Sequence, residues 1–386
     1  MTLPRFSLRY AGTQLFFGPE TVENLEKWVS QFKRVYLVTG RKSAEVSGAL
    51  KDVTQILERA GVKYERFSEV FPNPTDTLVN RLGELMWRFG AEAVIAIGGG
   101  SVIDTAKNAS VVAACGGTIE DYIKGRREVR EALPVAAVNL THGTGTEVDR
   151  YAVTTIERTK EKISLAHPAI YPKISIDDPR YLLTLPKNQT IYTTLDALYH
   201  AIESATTRDS PPIVEPIAEE AVKLIARYLP KAVENPRDLE ARYWLLYASM
   251  LAGIAIDLGR THLVHAIEHA LSGLRPELPH GAGLAIIGPR IVEATYRARP
   301  EKTWRLLRHL DPELEPREEH APRAAKAVEE FQKRVGFSEK LRDYGFSEAD
   351  EPKVVELTMK SLGFLVRLAP FDVSEEFVKE VFRRSL

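Results

Sequence analysis

The sequence predicts an α/β N-terminal domain built on a doubly wound, mostly parallel sheet, followed by an all-α C-terminal domain. Three observations carry this. Short apolar runs alternate with helical patterns through the first half, glycine-rich turns follow the strongest of those runs, and beyond residue 183 the patterns become helical with proline-rich breaks. The expected domains are residues 1–183 and 184–386.

RVYLVTG at 34–40 reads as a buried strand ending in a turn, with a helical stretch after it through Leu57 and Ala60. Residues 63–67 form a second strand candidate, the two prolines of FPNPT mark 71–75 as a loop, and 78–89 has apolar residues at helical spacing. AVIAIGGGS at 93–101 is the clearest strand-to-turn signal, and a helix follows over 102–114. PVAAVNLT at 134–141 repeats that pattern, and 151–155 and 173–176 are further strand candidates. Strands alternating with helices favour a parallel sheet covered on both faces. After LLTLPKNQT at 182–190, the breaks SPPIVEP, NPRD, RPELP, ARPE and HAPR punctuate helical patterns. There is no internal repeat, low-complexity tract or heptad run.

A chain of 386 residues exceeds one ordinary core, and an apolar fraction of 44% suffices to bury two. With 52 basic and 53 acidic residues the net charge is −1, so no overall field attracts nucleic acid or an anionic membrane. Cys115 is the one cysteine, which excludes an internal disulfide and a thiolate metal site and fits a reducing compartment. VVAACGGT reads it as a small buried residue. MTLPRFSLRYAGTQ has no apolar h-region and no run reaches membrane-spanning length, so a cytoplasmic protein is expected. An N-terminal strand that pairs between subunits would make a homodimer.

GGGSVIDTAK at 98–107 leaves a buried strand and enters a helix, placing amides and the positive helix end where a phosphate binds well. Glycines let backbone approach a pyrophosphate and Ser101 adds a hydroxyl. Neither GxGxxG nor GxxxxGK[ST] is present, and an ordinary turn with a capping serine would read the same. THGTGTE at 141–147 is a second Gly/Thr turn on the same expected sheet edge, which strengthens the nucleotide reading. In TGRKS at 39–43, Gly40 is followed by Arg41, Lys42 and Ser43 where an acid would hold ribose hydroxyls. That set suits the 2′-phosphate of NADP, the plain alternative being a solvated basic loop.

The stretch 261–281, THLVHAIEHALSGLRPELPHG, holds His262, His265, His269 and His280, four of nine histidines. His265 and His269 are four apart in a run of helix formers, as are Asp196 and His200 in TTLDALYHAIESA, and that spacing puts two side chains on one helical face. A single helical histidine is usually a satisfied core or surface residue. Two such pairs with a histidine in a Pro-His-Gly turn favour a metal site.

With GGGSVIDTAK, THGTGTE, TTLDALYHAIE, HAIEHALSG and the PHG turn in this order, the chain resembles the iron-containing (group III) alcohol dehydrogenase family over essentially its whole length. The resemblance implies an NAD(P)-binding N-terminal domain, a helical C-terminal domain and a divalent metal in the cleft between them. It implies Asp196, His200, His265 and His280 as metal ligands, with His269 an active-site histidine near the nicotinamide. Gly99, Gly100, Ser101 and Asp104 would lie at the pyrophosphate, Thr141 and Thr144 at the adenosine side, and Lys162 near the nicotinamide ribose. His262 has no family role and is expected to flank the site or lie on the surface. The chain departs from the pattern in an extra residue before His280, in Thr146 where Ser is common, and in Gly40 where NAD-preferring members carry an acid.

The implied activity is a metal-dependent alcohol dehydrogenase or aldehyde reductase, with Fe2+ or Zn2+ at the metal site, NADP favoured over NAD, and His269 relaying the proton. Glycerol dehydrogenase-like or dehydroquinate synthase-like enzymes share the architecture, but the DALYHAIE and HAIEHALSG pairing argues against them. A non-catalytic nucleotide-binding protein with a structural metal is the alternative from another class.

Overall fold

A computed structural model describes residues 3–386. Two compact units divide the chain, the first comprising residues 1–186 and 236–246, the second 187–235 and 247–386.

The first unit contains the strands β1 (Phe6–Tyr10), β2 (Thr13–Phe17), β3 (Arg34–Gly40), β4 (Lys63–Val70), β5 (Ala93–Gly98), β6 (Val135–Asn139), β7 (Tyr151–Ile156), β8 (Glu161–Ala166) and β9 (Ile174–Asp177). Seven form one sheet in the order β1-β2-β9-β6-β5-β3-β4, parallel at every pairing except β1 with β2. β7 and β8 make a separate antiparallel hairpin. Between β3 and β5 the winding reverses, so the turns leaving Gly40 and Gly98 flank the point where open α/β sheets bind ligands.

The central strands alternate between two cores. Val35 and Leu37 of β3 and Ile95 and Ile97 of β5 pack on one face with Val53, Ile56 and Leu57 of the helix Ala49–Arg59. Tyr36, Val38, Val94 and Ala96 face the other way, onto the helices Asp76–Phe89 and Gly100–Cys115. Burial on both faces explains why these strands read as continuous apolar runs.

Several elements differ from the sequence expectation. The N-terminal strand, expected without bounds, is β1 (Phe6–Tyr10), β2 and β8 are additional strands, β4 continues to Val70, and the expected 173–176 strand is Ile174–Asp177. Cys115 is half-buried rather than buried, its thiol directed at the Glu131 carbonyl 3.3 Å away. Residues 236–246 belong with the first unit through Arg242, whose fully buried guanidinium donates to the Pro236 carbonyl at 3.1 Å and the Leu185 carbonyl at 3.3 Å. It also lies 3.0 Å from His142 Nε2, and burial together with that cation pushes the His142 imidazole down to about 3.

The second unit is helical. Lys187–Thr206 packs against Val214–Glu234 and His280–Ala298, and the last of these also packs on Leu263–Leu274 and Ala321–Arg334. Glycines permit the closest approach. A Cβ on Gly281 would fall 1.9 Å from the Tyr192 carbonyl oxygen, and one on Gly288 would fall 2.2 Å from the Tyr199 ring, so neither position tolerates a side chain unless the helices part. That contact sets the start of His280–Ala298 beside the helix bearing Asp196. Among the described residues no helix is long and apolar enough to cross a membrane.

Candidate metal centre and nucleotide-binding turns

Three helices of the second unit bring the metal-site residues together. Asp196 and His200 lie on Lys187–Thr206, His265 on Leu263–Leu274, and His280 is the first residue of His280–Ala298. Asp196 Oδ1 is 3.3 Å from His200 Nε2, 3.5 Å from His265 Nε2 and 3.6 Å from His280 Nε2. These separations exceed an ordinary N–H···O bond. The ligand atoms of Asp196, His265 and His280 all lie within 4.8 Å of one another, close enough to share one ion, since bonds of about 2.1 Å in tetrahedral array place neighbouring ligand atoms roughly 3.4 Å apart; His200 Nε2 joins this group through its approach to Asp196 Oδ1.

Asp196 Oδ1 and His265 Nε2 are buried without a hydrogen-bond partner. Orphaned buried atoms of this kind are costly unless something occupies the space they face. The residues therefore fit a divalent cation, and a set of one carboxylate and three imidazoles without sulfur suits iron(II), zinc, cobalt or manganese. Burial works to raise the Asp196 carboxyl, but the His200, His280 and His265 imidazoles prevail and hold it below the usual carboxylate range. For His265, burial opposes protonation, yet the Asp196 and Glu203 carboxylates outweigh it and move the imidazole up to about 9 in the absence of a cation.

His269 is buried beside the quartet, its ring centroid 5.4 Å from that of His280 and 6.2 Å from that of His265. His262 is not a surface residue. It is 1% exposed at the start of Leu263–Leu274, with Nε2 3.1 Å from Thr206 Oγ1. Two buried carboxylates complete the surroundings and escaped the sequence reading. Glu203 Oε2 lies 2.5 Å from His265 Nδ1, and Glu268 Oε2 is hydrogen-bonded to His280 Nδ1. A signal for both was present, because HAIE occurs at 200–203 and again at 265–268.

In the first unit, Gly99 and Gly100 head the helix Gly100–Cys115, whose N-terminus no side chain caps and whose first turn holds no acid. Such an end is an anion site. A Cβ on Gly99 would lie 2.6 Å from Thr141 Cγ2 and one on Gly100 2.4 Å from Thr144 Cγ2. The glycines thus let the two turns interlock, bringing Gly99, Gly100, Ser101, Thr141 and Thr144 into one cradle at the carboxyl edge of the sheet.

Asp104 accepts from Thr146 Oγ1 at 2.7 Å and from the Val153 amide at 2.9 Å, so it fastens the second turn and the β7 hairpin to the first helix. Lys107, fully buried, extends the clasp. Its ammonium donates to the Thr146 carbonyl and hydroxyl, the Asp149 carbonyl and carboxylate, and the Tyr151 carbonyl, all within 2.6–3.0 Å. Burial raises the Asp149 carboxyl to about 7 against the pull of Lys107. Lys162 is buried and donates to Asn73 Oδ1 at 2.9 Å, which ties β8 to the proline-rich 71–75 loop. Arg41, Lys42 and Ser43 are exposed just beyond Gly40, and Ser43 Oγ would lie 3.3 Å from a Cβ placed there.

An α/β unit whose two glycine turns interlock at an uncapped helix end, together with a helical unit that gathers a carboxylate and histidines in one place, has the make-up of a metal-dependent, nucleotide-using enzyme. The sequence pattern of the iron-containing alcohol dehydrogenases matches residues 12–179, and the pattern of that family's C-terminal region matches 190–386. The chain belongs to the iron-containing alcohol dehydrogenase family. It is 42% identical to a long-chain primary alcohol dehydrogenase of Thermoanaerobacter ethanolicus, over 98% of this chain and 97% of that one. A match of 33% identity, covering 82% of each chain, is to an NAD-dependent methanol dehydrogenase of Bacillus methanolicus. Among solved structures, an archaeal halo-thermophilic alcohol dehydrogenase from a Red Sea brine pool superposes with a TM-score of 0.93 at 31% identity, covering 100% of this chain and 99% of that one.

Proposed function

We propose that this protein interconverts primary alcohols and aldehydes with a nicotinamide dinucleotide, using iron(II) held by Asp196, His200, His265 and His280. The observation that carries this is the convergence of three imidazole Nε2 atoms on one buried carboxylate oxygen. When bound, the metal supplies a Lewis acid for the substrate oxygen and the dinucleotide supplies the hydride acceptor or donor. The protein's own residues do the rest. Asp196, His200 and His265 are buried and His280 is the one partly exposed member, so the cation would sit at a largely enclosed site open on the His280 side, where the field at the substrate oxygen is less screened than in water. His269, adjacent to the ligands but outside the quartet, takes the alcohol proton on a ring nitrogen and returns it in the reverse direction.

The first unit holds the dinucleotide. Gly99, Gly100 and Ser101 at the uncapped helix end receive the pyrophosphate, with Asp104 positioning the neighbouring turn, while Thr141 and Thr144 border the adenosine side and Lys162 the nicotinamide ribose. Beyond Gly40, Arg41 and Ser43 favour the 2′-phosphate of NADP. Relatives whose names specify a cofactor, such as the NAD-dependent methanol dehydrogenase and an NADH-dependent butanol dehydrogenase of Clostridium acetobutylicum, point towards NAD instead. The preference for NADP is read from this chain's loop, which carries two cations and no carboxylate. A homodimer paired through β1, at one edge of the sheet, and a cytoplasmic location complete the proposal.

The test is a series of primary alcohols and aldehydes assayed anaerobically with both dinucleotides, before and after chelation. Activity is expected to vanish on chelation and return with iron(II), with kcat/KM about 10-fold higher for NADP, the value of one charge-assisted contact. Gly40→Asp is expected to reverse that ratio. No turnover of any alcohol or aldehyde by iron-loaded protein would overturn the function, and a ratio favouring NAD would overturn the cofactor preference alone.

A further inference from the structure

With Asp196, His200, His265 and His280 read as the ligands, we propose that Glu203 and Glu268 are the positioning residues of the metal centre, and that His262 is held in the same assembly. An imidazole binds a cation through one nitrogen only when the other carries the proton, and a hydrogen-bond acceptor at that second nitrogen selects the tautomer and fixes the ring. His265 and His280 each meet this condition. Each turns Nε2 towards Asp196 and Nδ1 towards a carboxylate with no exposed surface.

The two carboxylates are arranged in series along the chain. In each HAIE segment the histidine is a ligand, and the glutamate three residues later supports the next ligand in sequence. His200 is followed by Glu203, which holds His265, and His265 is followed by Glu268, which holds His280. One helical turn thus delivers a ligand and the brace for its successor, and the three helices are locked to one another pair by pair.

Glu203 also accepts from the backbone amides of Val264 at 2.6 Å and His265 at 3.3 Å. These are donors left open at the start of Leu263–Leu274, so a carboxylate from another helix serves as its cap. The ring and the backbone of His265 are therefore placed by one group. His262 Nδ1 approaches Glu203 Oε1 to 3.0 Å, outside the alignment of a well-directed hydrogen bond, while its Nε2 is beside the Thr206 hydroxyl. It thus packs directly against the carboxylate that holds His265.

The experiment measures the dissociation constant for cobalt(II), by competition with a chromogenic chelator, and the visible absorption of the cobalt-loaded protein. Glu203→Gln and Glu268→Gln keep the side-chain shape but remove the negative charge and turn one of the two acceptor oxygens into an NH2 donor, so the imidazole meets a weaker, uncharged acceptor. Each is expected to weaken cobalt binding about 10- to 100-fold and to shift the cobalt bands, as loss of a supporting acceptor does. His262→Ala is expected to weaken it less, by roughly 3-fold. Thermal unfolding of each variant, measured beside its cobalt affinity, separates a loss of metal positioning from a loss of folding. Cobalt affinity and bands like wild type in both glutamine variants, with only a lowered Tm, would overturn the proposal. Wild-type affinity in His262→Ala alone would remove His262 from the assembly. The variant Asp196→Ala tests the ligand set itself. If it too bound cobalt normally, the ligand reading would fail, whereas its failure to bind beside intact glutamine variants would sink only the positioning role.

Discussion

Replacing His265 by Ala should abolish metal binding and activity together. The substitution takes one of three Nε2 atoms from around Asp196 Oδ1 and leaves the buried Glu203 carboxylate facing a space its partner filled. A catalytic metal contributes several kcal/mol to the barrier, so kcat/KM should fall at least about 10³-fold. Metal analysis of the purified variant, beside its steady-state rate, checks both outcomes. His269→Ala gives the informative contrast. It should retain metal and lose about 10²-fold in kcat, as removal of a proton-transfer group does. Survival of metal and rate in His265→Ala would show that the ligands lie elsewhere.

Lys107→Met should cost the first unit about 3 kcal/mol of stability, measured by urea unfolding. The ammonium is fully buried and meets five oxygens, among them Asp149 Oδ1 at 3.0 Å. Removing one partner of a buried pair costs far more than the pair contributes over an apolar substitute, because the other stays buried without its counter-charge. The same variant should weaken dinucleotide binding, since Lys107 fastens the turn that carries Thr144 and Thr146. A loss below about 1 kcal/mol would mean that the interior reorganises around methionine without penalty.

The parts of this fold legible in the sequence were those whose physics is local. β3, β5 and β6 are buried on both faces and end in glycine turns, so continuous apolar runs announced them. β1 and β2 are short, alternate residues of β2 being buried and none of β1, so FSLRY shows no apolar run that would set its bounds. The β7–β8 hairpin lacked a turn signal because the position that needs a left-handed backbone is filled by Lys160, at φ 63°, and not by Gly or Asn. The Asp196–His200 and His265–His269 spacings pointed to one site because a helix fixes which residues share a face. Glu203 and Glu268 lay in the same motifs but support histidines on other helices, a relation that intrahelical spacing does not encode. The attachment of 236–246 to the first unit runs through Arg242 and through Tyr243, whose ring packs on Phe17, and no periodicity reports such contacts.

The four proposed ligands lie on three helices that are apart in the chain. A cation gripping all of them is a cross-link in the polymer sense, closing the loops from His200 to His265 and from His265 to His280 at a single node. The open chain loses conformational freedom when those loops are tied, so the ion's contribution to stability includes an entropic part like that of a disulfide. A metal held there for catalysis would thereby also act as the staple of the helical unit.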